Sequence, residues 1–510
     1  MDSENNTPLP PKPEKPVYTT ADTAYAWLSL LLSFLFCQSL PVTEYPLGGF
    51  LLIVALFVSA FVILRVKKQK LTPVCILSAL SSLVIGAALL LTNTVFLIKL
   101  SFAYGVANYF FFLYAAFGNR VEEGFSDYIY MDFLRALLLL PFGSLGAIFP
   151  ALGSRASRNF SGHLLKILFG IAIAIIPTCL VFVFLAYDRD FLNLLDSLFS
   201  VDIEAVSRAI RSLVFTLPLS MYAFGLYAAA KRKNPILQTS AENCKNTLKR
   251  MQILPQLTAL VAVLPILFLY TIFFLSQWKY YISGFTGVLP ENFSYANYAR
   301  QGFFDLCCVS VINVIIIVLL VLLMRRNSNG ISVILKAIAT LFCFCTLVLI
   351  STAVAKLCMY IRYYGLTPKR IYAMWLMALI AAVFLLIALG QFLRRFKTVA
   401  LCFTVAVVMF AGLAVCNVDA LCAQYNADRY LSGTLETFDA VAMSELGDSA
   451  VPALVRVEQE MDPQADPQLY RQLRRLLEAK ASRHWDSSES FFSFSIPAAQ
   501  AKAALKDYLP

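Results

Sequence analysis

The chain has 510 residues, of which 59% are hydrophobic and only 14% are charged, and its formal net charge is +11. A soluble domain of this size would need more charge to cover its surface, and a mean hydropathy of +0.71 excludes an ordinary soluble protein. The composition predicts an all-α protein: a polytopic transmembrane helical bundle of about ten spans with a small C-terminal helical soluble domain.

The chain begins with a polar, proline-rich leader, MDSENNTPLPPKPEKP. It lacks the short basic start of a signal peptide, and no convincing cleavage site follows the first apolar segment. We therefore interpret residues 1–22 as a disordered N-terminal tail. Residues 23–254 form a predicted N-terminal transmembrane region, and residues 255–416 form a C-terminal one.

Long apolar segments recur through both transmembrane regions, for example at 47–64, 167–187 and 257–277. Each approaches or exceeds the roughly 20 residues that a helix needs to cross a bilayer. Asn313 lies inside another such segment, and we expect its amide to hydrogen-bond a neighbouring helix.

The segment 133–152 is different because it contains Pro141, Pro150 and two glycines. A segment interrupted in this way is typical of one that lies in the membrane interface or re-enters from one side, provided that protein or water covers its backbone. The sequence leaves open whether it crosses the bilayer.

Basic clusters give the orientation. Short cytoplasmic loops of membrane proteins are rich in Lys and Arg, and four clusters stand out, at 65–70, 231–250, 325–326 and 394–397. With these on the cytoplasmic side, the N-terminus is predicted to be cytoplasmic. The loops around 277–302 and 362–370, and the whole of 417–510, are predicted to lie outside.

Residues 417–510 contain 14 acidic and 9 basic side chains, a net charge of −5, so the rest of the chain carries +16. This excess lies largely on the predicted cytoplasmic loops, where it meets anionic lipid, and does not indicate nucleic-acid binding. In the tail, Asp466 and Pro467 predict a helix start, followed by leucines at helical spacing. AVPALVRV places Val451, Leu454 and Val455 on one helix face. A small helical bundle and a peptide-binding solenoid both fit this pattern.

The sequence contains no familiar catalytic or cofactor-binding motif. It has only two histidines and no CxxC pair, so it predicts no metal site and no cofactor, and it has no P-loop, dinucleotide-binding glycine pattern or nucleophile elbow. We therefore expect a protein that is not an enzyme. Cys416 and Cys422 flank the last span, and the sequence does not decide whether they form a disulfide.

Polar and aromatic residues cluster at the predicted outer surface. The stretch FSYANYARQGFFDL, residues 293–306, leads into a span, and the basic loop around 362–370 lies where the orientation rule expects few cations. Such cations are expected to be paired, with Asp305, Glu291 and Asp428 as the obvious partners, or to hold anions. The candidate functional cluster is Tyr298, Arg300, Asp305, Arg362, Tyr364, Arg370, Asp428 and Arg429.

Three stretches, YANYARQGFFDL, YIRYYGLTPKRIYAMW and NVDALCAQYNADRYL followed by GDSAVPALVRV, resemble a bacterial family of multi-pass membrane proteins known only as a domain of unknown function. The resemblance covers roughly residues 255–510. It implies the plasma membrane of a bacterium and no established activity. The motif positions that it marks are Tyr298, Arg300, Gly302, Phe303, Tyr364, Gly365, Leu366, Thr367, Arg370, Asn417, Asp419, Asn426, Asp428, Arg429 and Tyr430.

These features support two functions ahead of a third. The first is a non-enzymatic envelope scaffold or sensor whose outer helical tail docks on the motif loops and meets an envelope protein partner. The second is a transporter or permease that handles an anionic lipid head group or a small anion through Arg300, Arg362 and Arg370. A membrane enzyme has the least support. The lipid bilayer is a partner in every case.

Overall fold

The computed structural model describes residues 17–153, 203–232, 241–276, 303–324, 333–393, 396–486 and 490–508, together with the single residues 181 and 185. Most of the predicted disordered tail, nearly all of the predicted span at 167–187 and the loop at 277–302 lie outside these ranges.

Four long helices occupy the N-terminal part of the chain. They are α1 (Thr20–Gln38), α2 (Pro46–Val66), α3 (Pro73–Leu91) and α4 (Val95–Ala116). The start of α3 shows how the sequence sets these boundaries. The Thr72 hydroxyl accepts a hydrogen bond from the Cys75 amide at 3.4 Å, and Pro73 occupies the first helical turn. A threonine that caps the helix and a proline in its first turn both favour helix initiation.

The interrupted segment follows as short pieces. They are α5 (Ile129–Leu134), a π-helical turn (Arg135–Leu139), α6 (Leu140–Phe142), a 3₁₀ turn (Leu145–Ala147) and α7 (Ile148–Leu152). The halves on either side of residues 143–144 are inclined by 59°. The break comes directly after Pro141, whose ring cannot be accommodated in a regular helix. The prediction that this segment is broken is confirmed.

The other described helices of the membrane part are α8 (Ile203–Arg232), α9 (Ala241–Met251), α10 (Gln256–Ser276), α11 (Phe303–Leu323), α12 (Val333–Tyr364), α13 (Pro368–Phe392) and α14 (Thr398–Val415). Helix α12 has 32 residues, which at 1.5 Å per residue is ~48 Å. This length exceeds the ~30 Å of a hydrocarbon core, so α12 must project beyond it.

The predicted fold class is confirmed. Eight helices within the described ranges are long and apolar enough to cross a membrane, or nine if the bent pair is one span. No β-strand occurs in the part of the chain that the structure describes, where the only bridge noted outside strands joins Leu254 to Met324. The protein is an all-α, multi-pass membrane protein.

The described residues form two compact units. The first unit comprises Met1–Gln38, Ser59–Lys68 and Leu140–Ala229. The second unit comprises Ser39–Val58, Gln69–Leu139 and Ala230–Pro510. Both units therefore combine segments that are distant in the sequence.

The first unit is organised around a buried carboxylate. The fully buried Asp22 lies 2.8 Å from Lys67 Nζ and accepts a hydrogen bond from the Tyr227 hydroxyl at 2.5 Å. Its other oxygen accepts from the backbone amide and hydroxyl of Thr19 at 2.7 and 2.8 Å. A buried charge is tolerated when it is paired and hydrogen-bonded in this way, and these contacts tie the start of α1 to α2 and α8.

Helix packing in the second unit depends on a small residue. Ile53 of α2 lies against Gly105 of α4, where an added Cβ would come within 2.7 Å of Ile53 Cδ1. Glycine here permits the close approach of helices that is typical of membrane interiors.

A polar link crosses the span helices of the second unit. Asn313 accepts a hydrogen bond from the Tyr270 hydroxyl at 2.5 Å and donates to the Thr346 hydroxyl at 2.8 Å. This joins α10, α11 and α12, and it confirms the expectation that Asn313 bonds to neighbouring helices.

The second unit has two distinct ends. At one end, Asp127 accepts hydrogen bonds from the amides of Val399 and Ala400 at 3.0 and 3.1 Å, so an acid from the 117–128 loop caps the start of α14, where the helix dipole favours negative charge. At the other end lie the turns 92–94 and 365–367 and all of the C-terminal helices.

The C-terminal residues form their own helical core. Their helices are α15 (Val418–Leu431), α16 (Ala440–Ser444), α17 (Val451–Glu460), α18 (Pro467–Asp486) and α19 (Ile496–Ala504). Val451, Leu454 and Val455 are buried together, as predicted from AVPALVRV. The Asp466 carboxylate accepts from the Leu469 amide at 3.0 Å, which confirms this residue as the N-cap.

Candidate functional site

The turn between α12 and α13 forms the centre of the candidate site. Helix α12 ends at Tyr364, and Gly365 follows with φ of +77°, a left-handed conformation in which glycine commonly ends helices. The Gly365 amide donates to the Ile361 carbonyl at 2.9 Å. Thr367 is extended, as the residue before a proline tends to be, and Pro368 starts α13. The motif letters GLTP thus specify a tight helix-to-helix turn.

The side chain of Asn426, on α15, docks onto this turn. Its Oδ1 accepts from the Leu366 amide at 2.7 Å, and its Nδ2 donates to the Leu366 carbonyl at 2.8 Å. The second Nδ2 hydrogen has a partner in Met443 Sδ at 3.4 Å. The buried amide therefore satisfies the polar groups of a buried peptide unit, as buried polar groups require.

Gly365 is required here for a second reason. A Cβ at this position would lie 2.4 Å from Asn426 Oδ1, closer than real atoms approach. The positive φ and the docked amide both exclude larger residues, so the two motif stretches that contain Gly365 and Asn426 fit one another directly.

Two arginines donate hydrogen bonds to backbone carbonyls at the end of α12. Arg370 donates from Nη1 to the Gly365 carbonyl and to the Tyr364 carbonyl at 3.2 Å, and its guanidinium lies 4.1 Å from the centre of the Tyr360 ring. Arg429 donates to the Ile361 carbonyl at 3.3 Å. Cations near a helix C-terminus stabilise the helix dipole and its unpaired carbonyls.

A buried acid forms a second contact of α15. Asp419 accepts a hydrogen bond from the Thr94 hydroxyl at 2.6 Å, in the turn between α3 and α4. Burial raises the pKa of this carboxyl, although the Thr94 hydrogen bond acts in the opposite direction. Asn417 caps the helix by accepting from the Ala420 amide at 3.2 Å. Helix α15 is thus attached to two separate turns at one end of the membrane helices.

The structure brings together only part of the predicted cluster. Arg370, Arg429 and Tyr364 meet at the end of α12, and the Tyr364 ring contacts those of Tyr360 and Tyr363. Arg362 is exposed on the last turn of the same helix.

The other members do not join them. Asp428 pairs with Arg456 of α17 instead of with the basic loop, so the expected pairing is wrong for this acid. Asp305 lies in the first turn of α11. Tyr298 and Arg300 lie outside the described residues, as does the Glu291 that was expected to pair with the basic loop.

Sequence reasoning left Asn426, Asp419 and Thr94 out of the cluster. The first two are motif positions, but charge and aromaticity guided the choice of candidates, and an uncharged amide does not stand out by those criteria. Thr94 carries no signal in the sequence, because its role follows from its position opposite Asp419.

The side chains of the site attach α15 to two turns of the membrane helices. Its groups pair with one another or with backbone atoms, and among the described residues no three His, Cys, Asp or Glu side chains are arranged to hold a metal ion. Cys416 and Cys422 are both free thiols, which answers the disulfide question in the negative for this structure. Burial raises the pKa of Cys422 to about 12, so its thiol is protonated and unreactive at neutral pH.

One family model, described as a domain of unknown function (DUF4153), matches residues 50–457. This match confirms the predicted resemblance to an uncharacterised domain family. It begins at residue 50 and not near residue 255, so most of the N-terminal half belongs to the same domain, and the last helices lie beyond it. No curated protein and no solved structure matches the chain.

The Asn426 contact predicts a specific change in hydrogen exchange. Asn426→Asp should increase exchange of the Leu366 amide by roughly tenfold to a hundredfold, because a buried carboxylate faces the Leu366 carbonyl without a hydrogen to donate and an unsatisfied group costs ~1–3 kcal/mol. Hydrogen-exchange mass spectrometry of the full chain in detergent measures this. Gln424→Glu, an equivalent change at an exposed position of α15, is the control and should leave Leu366 protected. Equal exchange in both variants would contradict the docking role.

The raised pKa of Asp419 predicts a pH dependence of stability. The folded state prefers the protonated carboxyl of Asp419. Ionisation of this carboxyl therefore destabilises the folded state as the pH rises from the ordinary carboxyl pKa of ~3.9 through the raised pKa of the folded protein. Asp419→Asn should therefore raise the thermal unfolding midpoint at neutral pH, and the gain should shrink towards pH ~4.

The matched control for this measurement is Asp507→Asn, which removes the same charge from an exposed position and should give no such gain. A lower midpoint for Asp419→Asn at neutral pH would show that the ionised carboxylate stabilises the fold.

Proposed function

The chain belongs to the DUF4153 family of domains of unknown function, and from that premise we propose that it is a non-enzymatic scaffold or sensor of the bacterial cell envelope. In this role the membrane helices hold the C-terminal helices at one face of the plasma membrane. The docked helices present a surface to an envelope protein partner.

The Asn426–Leu366 contact is the observation that carries the proposal. A side chain that reproduces peptide hydrogen bonding, reinforced by Arg429 on the same helix, fixes the C-terminal helices to the membrane part at a defined place. A platform or sensor requires such a defined attachment, and this requirement is why the contact supports the proposal.

The orientation part of the proposal rests on two independent arguments. Basic loops predict which turns are cytoplasmic. In the second unit, the turn 365–367, which is predicted to lie outside, contacts the C-terminal helices, and so does the turn 92–94. Residues 396–400, beside the predicted cytoplasmic cluster 394–397, contact the loop around 125–127 instead. A cytoplasmic N-terminus and an extracytoplasmic C-terminal domain require an odd number of crossings, so the predicted count of ten cannot hold together with this orientation.

The alternative, a permease that holds an anion through Arg300, Arg362 and Arg370, has less support. The Arg370 guanidinium already binds the Tyr364 and Gly365 carbonyls, so an anion would have to displace them. Anionic lipid head groups remain partners for the exposed Arg362.

Cysteine labelling tests the orientation. With the exposed Cys308, Cys358 and Cys416 replaced by serine, a cysteine introduced at the exposed Gln472 of α18 should react with a membrane-impermeant maleimide in intact cells, because the tail is proposed to lie outside. A cysteine at the exposed Lys70 should react only after permeabilisation. The opposite pattern would place the tail in the cytoplasm and end the extracytoplasmic part of the proposal.

A comparison of variants in cells tests the scaffold role. If the docked position matters, Asn426→Asp should reproduce the envelope defect caused by deletion of residues 417–510, while Gln424→Glu behaves as wild type. The measurement is growth under detergent and cell-wall antibiotic stress, with equal membrane abundance of each variant checked by immunoblot. Normal growth of the deletion strain under every such stress would refute the scaffold proposal.

A further inference from the structure

Three phenylalanines near the end of the chain are exposed in a turn outside the membrane helices. Phe491, Phe492 and Phe494 have exposed fractions of 74%, 51% and 48%. They occur within SFFSFSI, between α18 and α19. Contiguous exposed aromatic surface on an otherwise polar helical domain marks an interaction site.

The turn is held in shape by serines. Phe491–Ser493 forms a 3₁₀ turn, in which the Ser490 hydroxyl accepts from the Phe492 amide at 3.4 Å and the Ser493 hydroxyl donates to the Ser490 carbonyl at 2.6 Å. Ser495 then caps α19 by accepting from the Ala498 amide at 3.4 Å. The phenyl rings are therefore displayed by a structured turn, because local hydrogen bonds satisfy its backbone.

The position of the turn is set by the first turn of α2. A Cβ added at Gly48 would lie 3.7 Å from Phe492 Cβ and 3.5 Å from Tyr45 Cβ, so Phe492 packs directly against the start of this helix. Helix α2 has 21 residues, or ~31 Å, which matches the thickness of the hydrocarbon core. The first turn of α2 must then lie at the boundary between head groups and acyl chains.

A second contact holds the other side of the turn. Helix α19, which follows the turn, packs against α3, and its buried Ala501 belongs to the core of the C-terminal helices. The turn is thus fixed on one side by α2 and on the other by α19.

We propose that the turn around Phe491–Phe494 is an interfacial anchor that inserts its phenyl rings into the bilayer leaflet beside α2. The occupant of this surface is the lipid bilayer, because the exposed rings continue the apolar surface of a membrane span at the depth where aromatic side chains concentrate. The anchor holds the C-terminal helices against the membrane independently of the Asn426 contact, and it does so on whichever side of the membrane they lie.

Photo-crosslinking in vesicles tests the anchor. The full chain is reconstituted into phosphatidylcholine–phosphatidylglycerol vesicles with p-benzoylphenylalanine in place of Phe491 or, as the control, of Gln472, an exposed residue of α18. After irradiation, intermolecular adducts are identified by mass spectrometry. Burial of a phenyl ring favours the lipid-facing state by roughly tenfold or more, so lipid adducts at position 491 should exceed those at 472 by a factor of this order.

Two results would overturn the anchor. Lipid adducts in equal yield at both positions would show that the turn does not reach the leaflet. Adducts at position 491 that join a second copy of the chain would assign the aromatic surface to self-association. Neither result would affect the scaffold proposal, which depends on the deletion and Asn426 variants.

Discussion

The attachment of the C-terminal helices depends on one side-chain amide that takes the place of a peptide group. Asn426 supplies both an acceptor and a donor to Leu366, and it can do so only because Gly365 leaves the space open. Arg370 and Arg429 bind carbonyls of the same helix end. The packing of α15 against the membrane helices therefore depends on hydrogen bonds that tolerate little change in distance, whereas the apolar contacts around them can adjust.

The sequence predicted the architecture well because hydropathy and helix signals act locally. Apolar length identifies most spans, and Pro141 marks the place where a span is interrupted. In the tail, Asp466 and the buried Leu454 follow rules that need no knowledge of the fold.

The site was harder to predict because its contacts join residues far apart in the chain. The charged residues of the outer loops were expected to pair with one another or with a ligand. Instead, Arg370 binds backbone carbonyls, and Asp428 binds Arg456 within the tail. Which backbone carbonyls come to lie near an arginine depends on the fold, so the contact between Arg370 and the end of α12 could not be predicted from the sequence. Motif membership alone pointed to Gly365 and Asn426.

Helix α12 takes part in two polar contacts with other helices, one within the membrane part and one with α15. It is one continuous helix of ~48 Å. Near its middle, Thr346 is hydrogen-bonded to Asn313, and at its C-terminal end Arg429 donates to the helix backbone. Helix α12 therefore connects the attachment of the C-terminal helices directly to the polar contact that joins α10, α11 and α12 within the membrane part.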